Sequence, residues 1–358
     1  MPQHNAGAFS MTRILYGMTG DTRGHIARVT AITSRLPECE FHFVGGDNVA
    51  KRLGGKAPVL EVPVLRVVHR NQRVAVARTA GHIVAGTARA ARVCRRIRDL
   101  IEHWQPHLAI CDHEFFLPIA ARHAGLPCVS LDHGHVLLAC DFTVPPAQRW
   151  SWSLAMLQDG LFFNSTRRNL ITSFFHPPLK PGRTDELFPP VLREETRQIK
   201  PRNGSHVLCY QTSPTFHQLI NAARDIGRPV IVYGYCDEHA TDGNLMFKPF
   251  DPRAILEDLA GCAYAVVNGG HNVICEALAF GKPLLCFPVT THFEQFLNAS
   301  YVRALGFGDF SMSRHPTVDL FRQFEQRLDK YRDAIRHGFE DGTDTVVRRL
   351  RSIITEHS

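Results

Sequence analysis

Residues 264–283 read YAVVNGGHNVICEALAFGKP. Tyr264 to Val267 is a short apolar, β-branched run of the kind buried on both faces of a parallel sheet. Gly269 and Gly270 then let the backbone turn tightly. A helical pattern starts near His271 and stops at Gly281, just before Pro283, as helices commonly do. The helix start exposes unpaired N–H groups and the positive end of the helix dipole. That end suits a diphosphate, because the two glycines carry no side chain to block its approach. Glu276 lies one turn after Asn272, about 6 Å further along the same face, an offset that matches a ribose joined to the phosphate.

The same strand-and-helix alternation runs outward in both directions. Further short apolar runs are Ile14–Tyr16, Phe41–Val44, Leu108–Cys111 and Cys128–Leu131, then Val207–Tyr210, Val230–Tyr233 and Leu284–Phe287. The segments between them are long enough for crossover helices, for example Thr215–Ile226, so each half reads as a doubly wound parallel sheet. A chain of 358 residues exceeds one ordinary core, which seldom grows beyond about 250 residues. From Asp141 to Asn203 the pattern breaks into Pro177-Pro178, Pro181-Gly182 and Pro189-Pro190 among aromatics and charges. The boundary between two α/β domains is therefore expected near residue 195, giving units 1–195 and 196–358. Ligands of such sheets bind outside the carboxyl ends of the strands, here in the cleft between the units.

After the strand at Leu284–Phe287 comes Pro288-Val289-Thr290-Thr291-His292-Phe293-Glu294-Gln295. Glu294 and Gln295 are an adjacent acid and amide able to hydrogen-bond vicinal sugar hydroxyls. Thr212 and Ser213 follow the strand at Val207–Tyr210, where either a phosphate contact or ordinary helix capping would use them. Asp251-Pro252 reads as an N-cap followed by the first helical residue.

On these residues, Lys248 to Asn298 resembles the donor-binding region of GT-B glycosyltransferases. It is similar to family 28, which contains the lipid-linked N-acetylglucosaminyltransferase of peptidoglycan synthesis, and to the family 1 UDP-glycosyltransferases. The resemblance implies a GT-B fold of two Rossmann-like domains facing a cleft, the first binding an acceptor and the second a nucleotide-sugar donor, UDP-linked in those families. It implies that Gly270, His271 and Asn272 meet the diphosphate, Glu276 the ribose, and Glu294 and Gln295 the transferred sugar. The loop from Met246 to Phe250 would hold the nucleobase. Family 1 carries a phosphate-binding histidine at the strand end, a position that here is Asn268, with His271 three residues later.

In the first half, Tyr16-Gly17-Met18-Thr19-Gly20-Asp21-Thr22-Arg23-Gly24-His25 resembles the glycine-rich acceptor-side loop of family 28, with Gly20 and Gly24 as its glycines. A helix is expected from about Ile26, which puts His25 at the cleft. General base, substrate-orienting group and structural histidine are all open roles for it. Asp112 ends the strand at Leu108–Cys111, where an acid could orient a histidine base; Glu114 and Asp132 are rivals. The run Asp132-His133-Gly134-His135 lacks a fourth ligand at recognised spacing, and His113 and His123 are expected to bond locally. No DxD-type site lies near the donor motif, so metal independence is expected, with no cofactor beyond the sugar nucleotide as co-substrate; the transfer itself is read as inverting. A nucleotide-sugar epimerase of the same fold and a non-catalytic sugar-nucleotide or lipid-binding protein are the alternatives.

Charge adds a second region of interest. Residues 1–170 hold 20 Lys and Arg against 12 Asp and Glu, whereas the remainder holds 21 against 22. The excess concentrates in Arg66, Arg70, Arg73, Arg78, Arg89, Arg92, Arg95 and Arg96, among Val, Ala and Ile, as on an amphipathic helix. A solvated face, or a surface for a lipid-linked or anionic acceptor and for membrane headgroups, accounts for it. No nucleic-acid motif accompanies it, so nucleic acid is not an expected partner. The ten cysteines include no CxxC and several sit in apolar runs, which points to reduced thiols. With no spanning segment or signal-like start, cytoplasmic residence is expected, with contact at the inner membrane face left open.

Overall fold

The computed structural model describes the chain apart from residues 1–10, 20–22, 47–48, 54, 56, 65–68, 71–72, 75, 164 and 213–214, and apart from the side chains at 23, 69–70, 73–74, 76–80, 82–88 and 162. The first half runs β1 (Thr12–Met18), α1 (Arg23–Thr33), β2 (Cys39–Gly45), α2 (Val49–Arg52), β3 (Val59–Glu61), a short pair β4 (His69–Arg70) and β5 (Arg73–Val74), and α3 (Val76–Trp104). It continues through β6 (Leu108–Asp112), α4 (Phe116–Ala124), β7 (Cys128–Asp132), α5 (His135–Ala139), α6 (Arg149–Phe162), β8 (Arg168–Thr172) and β9 (Glu186–Phe188). After α7 (Glu194–Gln198), the second half runs β10 (Val207–Tyr210), α8 (His217–Arg224), β11 (Val230–Tyr233), β12 (Ala240–Asp242), β13 (Leu245–Lys248), α9 (Pro252–Gly261) and β14 (Tyr264–Val267). It closes with α10 (His271–Ala279), β15 (Leu284–Cys286), α11 (Phe293–Ala304), β16 (Gly308–Phe310), α12 (Val318–Glu325), α13 (Leu328–Gly338) and α14 (Thr343–His357).

Two sheets result, ordered β3-β2-β1-β6-β7-β8-β9 and β12-β13-β11-β10-β14-β15-β16. All their pairings are parallel except β12 with β13. In each sheet the order reverses beside the first strand of its half, β1 or β10, so the ligand crevice opens at the carboxyl ends of β1 and β6 in one half and of β10 and β14 in the other. The expected apolar runs all fall within strands, Phe287 alone lying one residue past β15, because β-branched and aromatic side chains fill a sheet covered on both faces. The architecture is the expected α/β fold of two Rossmann-like halves.

The last helix departs from the sequence reading. α14 follows the second sheet but packs on the first: Val346, Val347, Leu350, Ile353 and Ile354 join Val29, Ile32 and Leu36 of the α1 region in one buried cluster. Arg351 pairs with Glu38 at 2.8 Å and Arg349 with Glu186 at 2.6 Å. Residues 343–357 thus lie with the first unit, although the expected boundary put them in the second. The basic helix is only partly described. Its described turns bury Val93, Ile97 and Ile101 at i, i+4 and i+8, while Arg89, Arg92, Arg95 and Arg96 are exposed; Arg66 and the side chains of Arg70, Arg73 and Arg78 lie outside the described residues. Among the described residues no helix is long and apolar enough to cross a membrane. All ten cysteines are free thiols.

Candidate active site

α10 starts where the sequence places it. Gly269 adopts φ +99, and a Cβ there would lie 2.6 Å from the Gln295 carbonyl oxygen, so both conformation and space demand glycine. Gly270 caps the helix, and its missing Cβ faces open space, with nothing nearer than Val273 at 4.0 Å. The N–H groups of the first turn are therefore approachable. Asn268 proves to be a brace: its Oδ1 accepts from Thr212 N–H at 2.8 Å and Oγ1 at 3.3 Å, while its Nδ2 donates to Gln211 Oε1 at 2.6 Å. It ties the ends of β10 and β14 together, which a histidine of different shape would not do.

Several of the expected site residues already have partners within the chain. Thr212 neither caps a helix nor stands free, since α8 begins five residues later and its hydroxyl and amide are spent on Asn268; Ser213 lies outside the described residues, as does Gly20. Gln295 is buried and its Oε1 accepts from Val289 N–H at 3.1 Å, bracing the loop before α11. Glu276 is paired, its Oε1 2.7 Å from Arg193 Nε. Burial pushes that carboxyl up and Arg193 draws it back, with a net rise. Phe250 packs 6.0 Å from the Tyr210 ring, and Asp251 caps α9 by accepting from Arg253 and Ala254 N–H at 2.9 and 2.7 Å, as expected.

Across the cleft, α1 begins at Arg23 rather than Ile26, which places His25 in its first turn. His25 Nδ1 lies 2.8 Å from Asp112 Oδ1. Asp112 is fully buried; burial pushes its carboxyl up, but the charges and hydrogen bonds of Arg28 and His25 outweigh this and lower it. With the carboxylate ionised, Nδ1–H donates to it, which in the neutral ring leaves the lone pair on Nε2. The rivals are occupied elsewhere. Glu114 accepts from Leu117 N–H at 2.5 Å at the start of α4, its carboxyl pushed up to about 7 by burial against those backbone bonds. Asp132 bonds His135 Nδ1 at 2.7 Å and its backbone N–H at 2.9 Å, and also takes the Ser130 hydroxyl. His135 is thereby held by its neighbour; among the described residues no group of three His, Cys, Asp or Glu side chains is placed to hold a metal.

The two halves meet at these side chains. A Cβ on Gly24 would fall 1.6 Å from Asn272 Nδ2, so the start of α1 lies directly against the start of α10. His133 donates through Nδ1 to the Thr172 carbonyl at 3.0 Å and meets Asn298 Oδ1 through Nε2 at 2.9 Å, and Asn298 donates to the Gly269 carbonyl at 3.0 Å. His271 is buried, stacked on His133 with centroids 3.7 Å apart, and burial, His133 and Arg28 hold its pKa well down. Half-buried Glu294 opens α11. Burial raises its carboxyl, but His133, His292, His113 and His25 bring it down. The sequence reading gave His113 a local hydrogen bond and no place in the cleft. Its backbone is left-handed (φ 57) and its ring stacks 3.6 Å from Phe163. A small recess of about 10 Å³, room for about one water molecule, lined by Met18, Val62, Val64, His113 and Phe163, opens beside it. The sequence reading missed Arg28, although the i,i+3 spacing from His25 was a readable signal, and Arg193, which no local pattern marks.

A family model described as glycosyl transferase family 1 matches residues 12–331. An uncharacterized glycosyltransferase of Methanosarcina acetivorans is 46% identical over 96 residues, 25% of each chain. One of Methanosarcina mazei is 34% identical over 73 residues, 20% of this chain and 19% of its own. The matched region spans a quarter or less of the length of these curated relatives. Among solved structures, Phytolacca americana UGT2, complexed with UDP-2fluoro-glucose and pterostilbene, superposes with a TM-score of 0.68 at 13% identity, covering 97% of this chain and 99% of that one. MurG of Acinetobacter baumannii superposes with a TM-score of 0.59 at 15% identity, covering 95% and 99%. At these identities the likeness concerns the fold.

Proposed function

The chain belongs to glycosyl transferase family 1, and from that membership we propose that it moves a sugar from a nucleotide-diphosphate sugar, UDP-linked, to an acceptor hydroxyl with inversion and without a metal ion. The observation that carries this reading is the His25–Asp112 pair at 2.8 Å, set on a helix start that touches the α10 turn through Gly24 and Asn272. The acceptor hydroxyl gives its proton to His25 Nε2 as its oxygen bonds to the anomeric carbon. The bond from that carbon to the diphosphate breaks on the opposite face, and the electron pair leaves with the nucleotide. N–H groups at the start of α10, from Gly270 to Asn272, meet the developing charge, which supports metal independence.

Glu276 takes the ribose beside its pairing with Arg193, Met246 to Phe250 the base, and Glu294 with Gln295 the sugar, Gln295 after releasing or sharing its hold on Val289. The exposed arginines of α3 favour an acceptor that is lipid-linked or anionic.

The test is release of UDP from UDP-sugars across an acceptor panel. His25→Ala is expected to slow release by about 10²- to 10⁴-fold, with chelator leaving the wild-type rate unchanged. Undiminished release by His25→Ala removes His25 from the mechanism, and formation of an epimer from donor alone replaces transfer by epimerisation.

A further inference from the structure

Arg28 lies one turn beyond His25 on α1 and is 4% exposed. Its guanidinium forks onto both oxygens of Asp112, Nε to Oδ2 at 2.8 Å and Nη2 to Oδ1 at 2.9 Å. Nη1 reaches Thr172 Oγ1 at 3.4 Å, and Nη2 lies 3.3 Å from His25 Nδ1. A planar fork of this kind fixes the plane of the carboxylate as a lysine could not. Stability alone is a weak reason for it, because an apolar pair of equal volume avoids the desolvation cost of two buried charges. The placement has a chemical consequence instead. Asp112 orients the histidine and favours its charged form, while the guanidinium beside the same ring nitrogen opposes that form.

We propose that Arg28 is a positioning residue for the reaction base, fixing the plane of Asp112 and offsetting the pull of its charge on the His25 proton. The inference rests on the reading of His25 as the base. Other groups facing the pair are Tyr16 on β1, His113 after β6, Asp132 and His133 at the end of β7, His271 on α10 and Glu294 on α11. They are common to every variant below, so differences report on Arg28.

The experiment compares full-length wild type, Arg28→Gln, Arg28→Lys, Asp112→Asn and Arg28→Gln/Asp112→Asn. The His25 ring signal is followed by proton NMR, identified by its loss in His25→Asn, alongside the pH profile of UDP release. In Arg28→Gln the ring should titrate higher by about 1 pH unit or more. The acid limb of kcat should move the same way, with kcat down about tenfold or more and the KM for UDP-sugar little changed. Arg28→Lys keeps the charge without the fork, so kcat falls while the acid limb stays. If Arg28→Gln does not fold, the neutral double variant is compared with Asp112→Asn, in which the guanidinium is unopposed; the ring should titrate higher in the double variant. An unmoved His25 titration in either comparison overturns the proposal. UDP release indifferent to His25→Ala overturns the base assignment instead, and the titration still decides the coupling.

Discussion

Gly24 has no room for a side chain because Asn272 of the other half fills the space. Gly24→Val is expected to push the halves apart and raise the KM for UDP-sugar about tenfold, and Asn272→Gly in the same chain should recover most of the loss; a steady-state comparison of the three checks it. Gly269 is bound by both φ and the Gln295 carbonyl, and Gly269→Ala should cost about 1–3 kcal/mol or more in chemical denaturation. Asp159 supplies a pH test. Burial, then Glu294 and Asp132, push its carboxyl up to about 8, against an ordinary 3.8. Between those values the folded state holds a proton that the unfolded chain has lost, so its contribution to stability is complete below pH 3.8 and disappears as pH rises through about 8. Asp159→Asn should gain in Tm relative to wild type between pH 5 and pH 8; a difference that stays constant or shrinks contradicts the burial argument. Individual roles were legible where the residue type allowed few alternatives. Asp251-Pro252 and the glycine turn were read correctly from local rules, whereas the brace at Asn268 depends on Thr212 and Gln211, 56 and 57 residues away.

At the scale of elements, strands buried on both faces announce themselves as continuous apolar runs, which is why β1, β2, β6, β7, β10, β11, β14 and β15 could be located without coordinates. Helix starts were less legible. α1 begins three residues before the expected Ile26 and α8 two after Thr215, since Gly- and Thr-rich leads carry weak propensity and tertiary contacts set the first turn. The address of α14 was not legible at all, because an amphipathic stripe states that one face is buried and not against what. Leu350→Ala, fully buried against the first sheet's helices, should destabilise by about 2–5 kcal/mol. If α14 belongs to the first unit, hydrogen exchange should quicken around α1 and not around α8. The arginines of α3 give an independent test of the acceptor class. Replacing Arg89, Arg92, Arg95 and Arg96 by Glu should abolish salt-sensitive sedimentation with anionic vesicles while leaving Tm within a few degrees; retained sedimentation removes the lipid side of the proposal.

For the whole molecule, the two crevices face one another, and the contacts between them pair Gly24 with Asn272 and His133 with His271 and Asn298. The general plan was readable because two repeats of one sheet pattern, separated by a proline-rich stretch, leave few arrangements. The chemistry across the cleft was only half readable. The pairing of His25 with Asp112 could be guessed from strand ends, but Arg28 completing it, and Arg193 reaching Glu276 from the segment between the sheets, arise from how two units dock, about which single-sequence periodicity is silent. The account stands on sugar nucleotide being gripped at the start of α10, and calorimetric titration of the purified chain with UDP-sugars tests that directly. It predicts one site, weakened about 10- to 100-fold by Glu276→Gln through loss of a charged hydrogen bond to the ribose. No heat of binding with any nucleotide sugar, or equal affinity in Glu276→Gln, would contradict it.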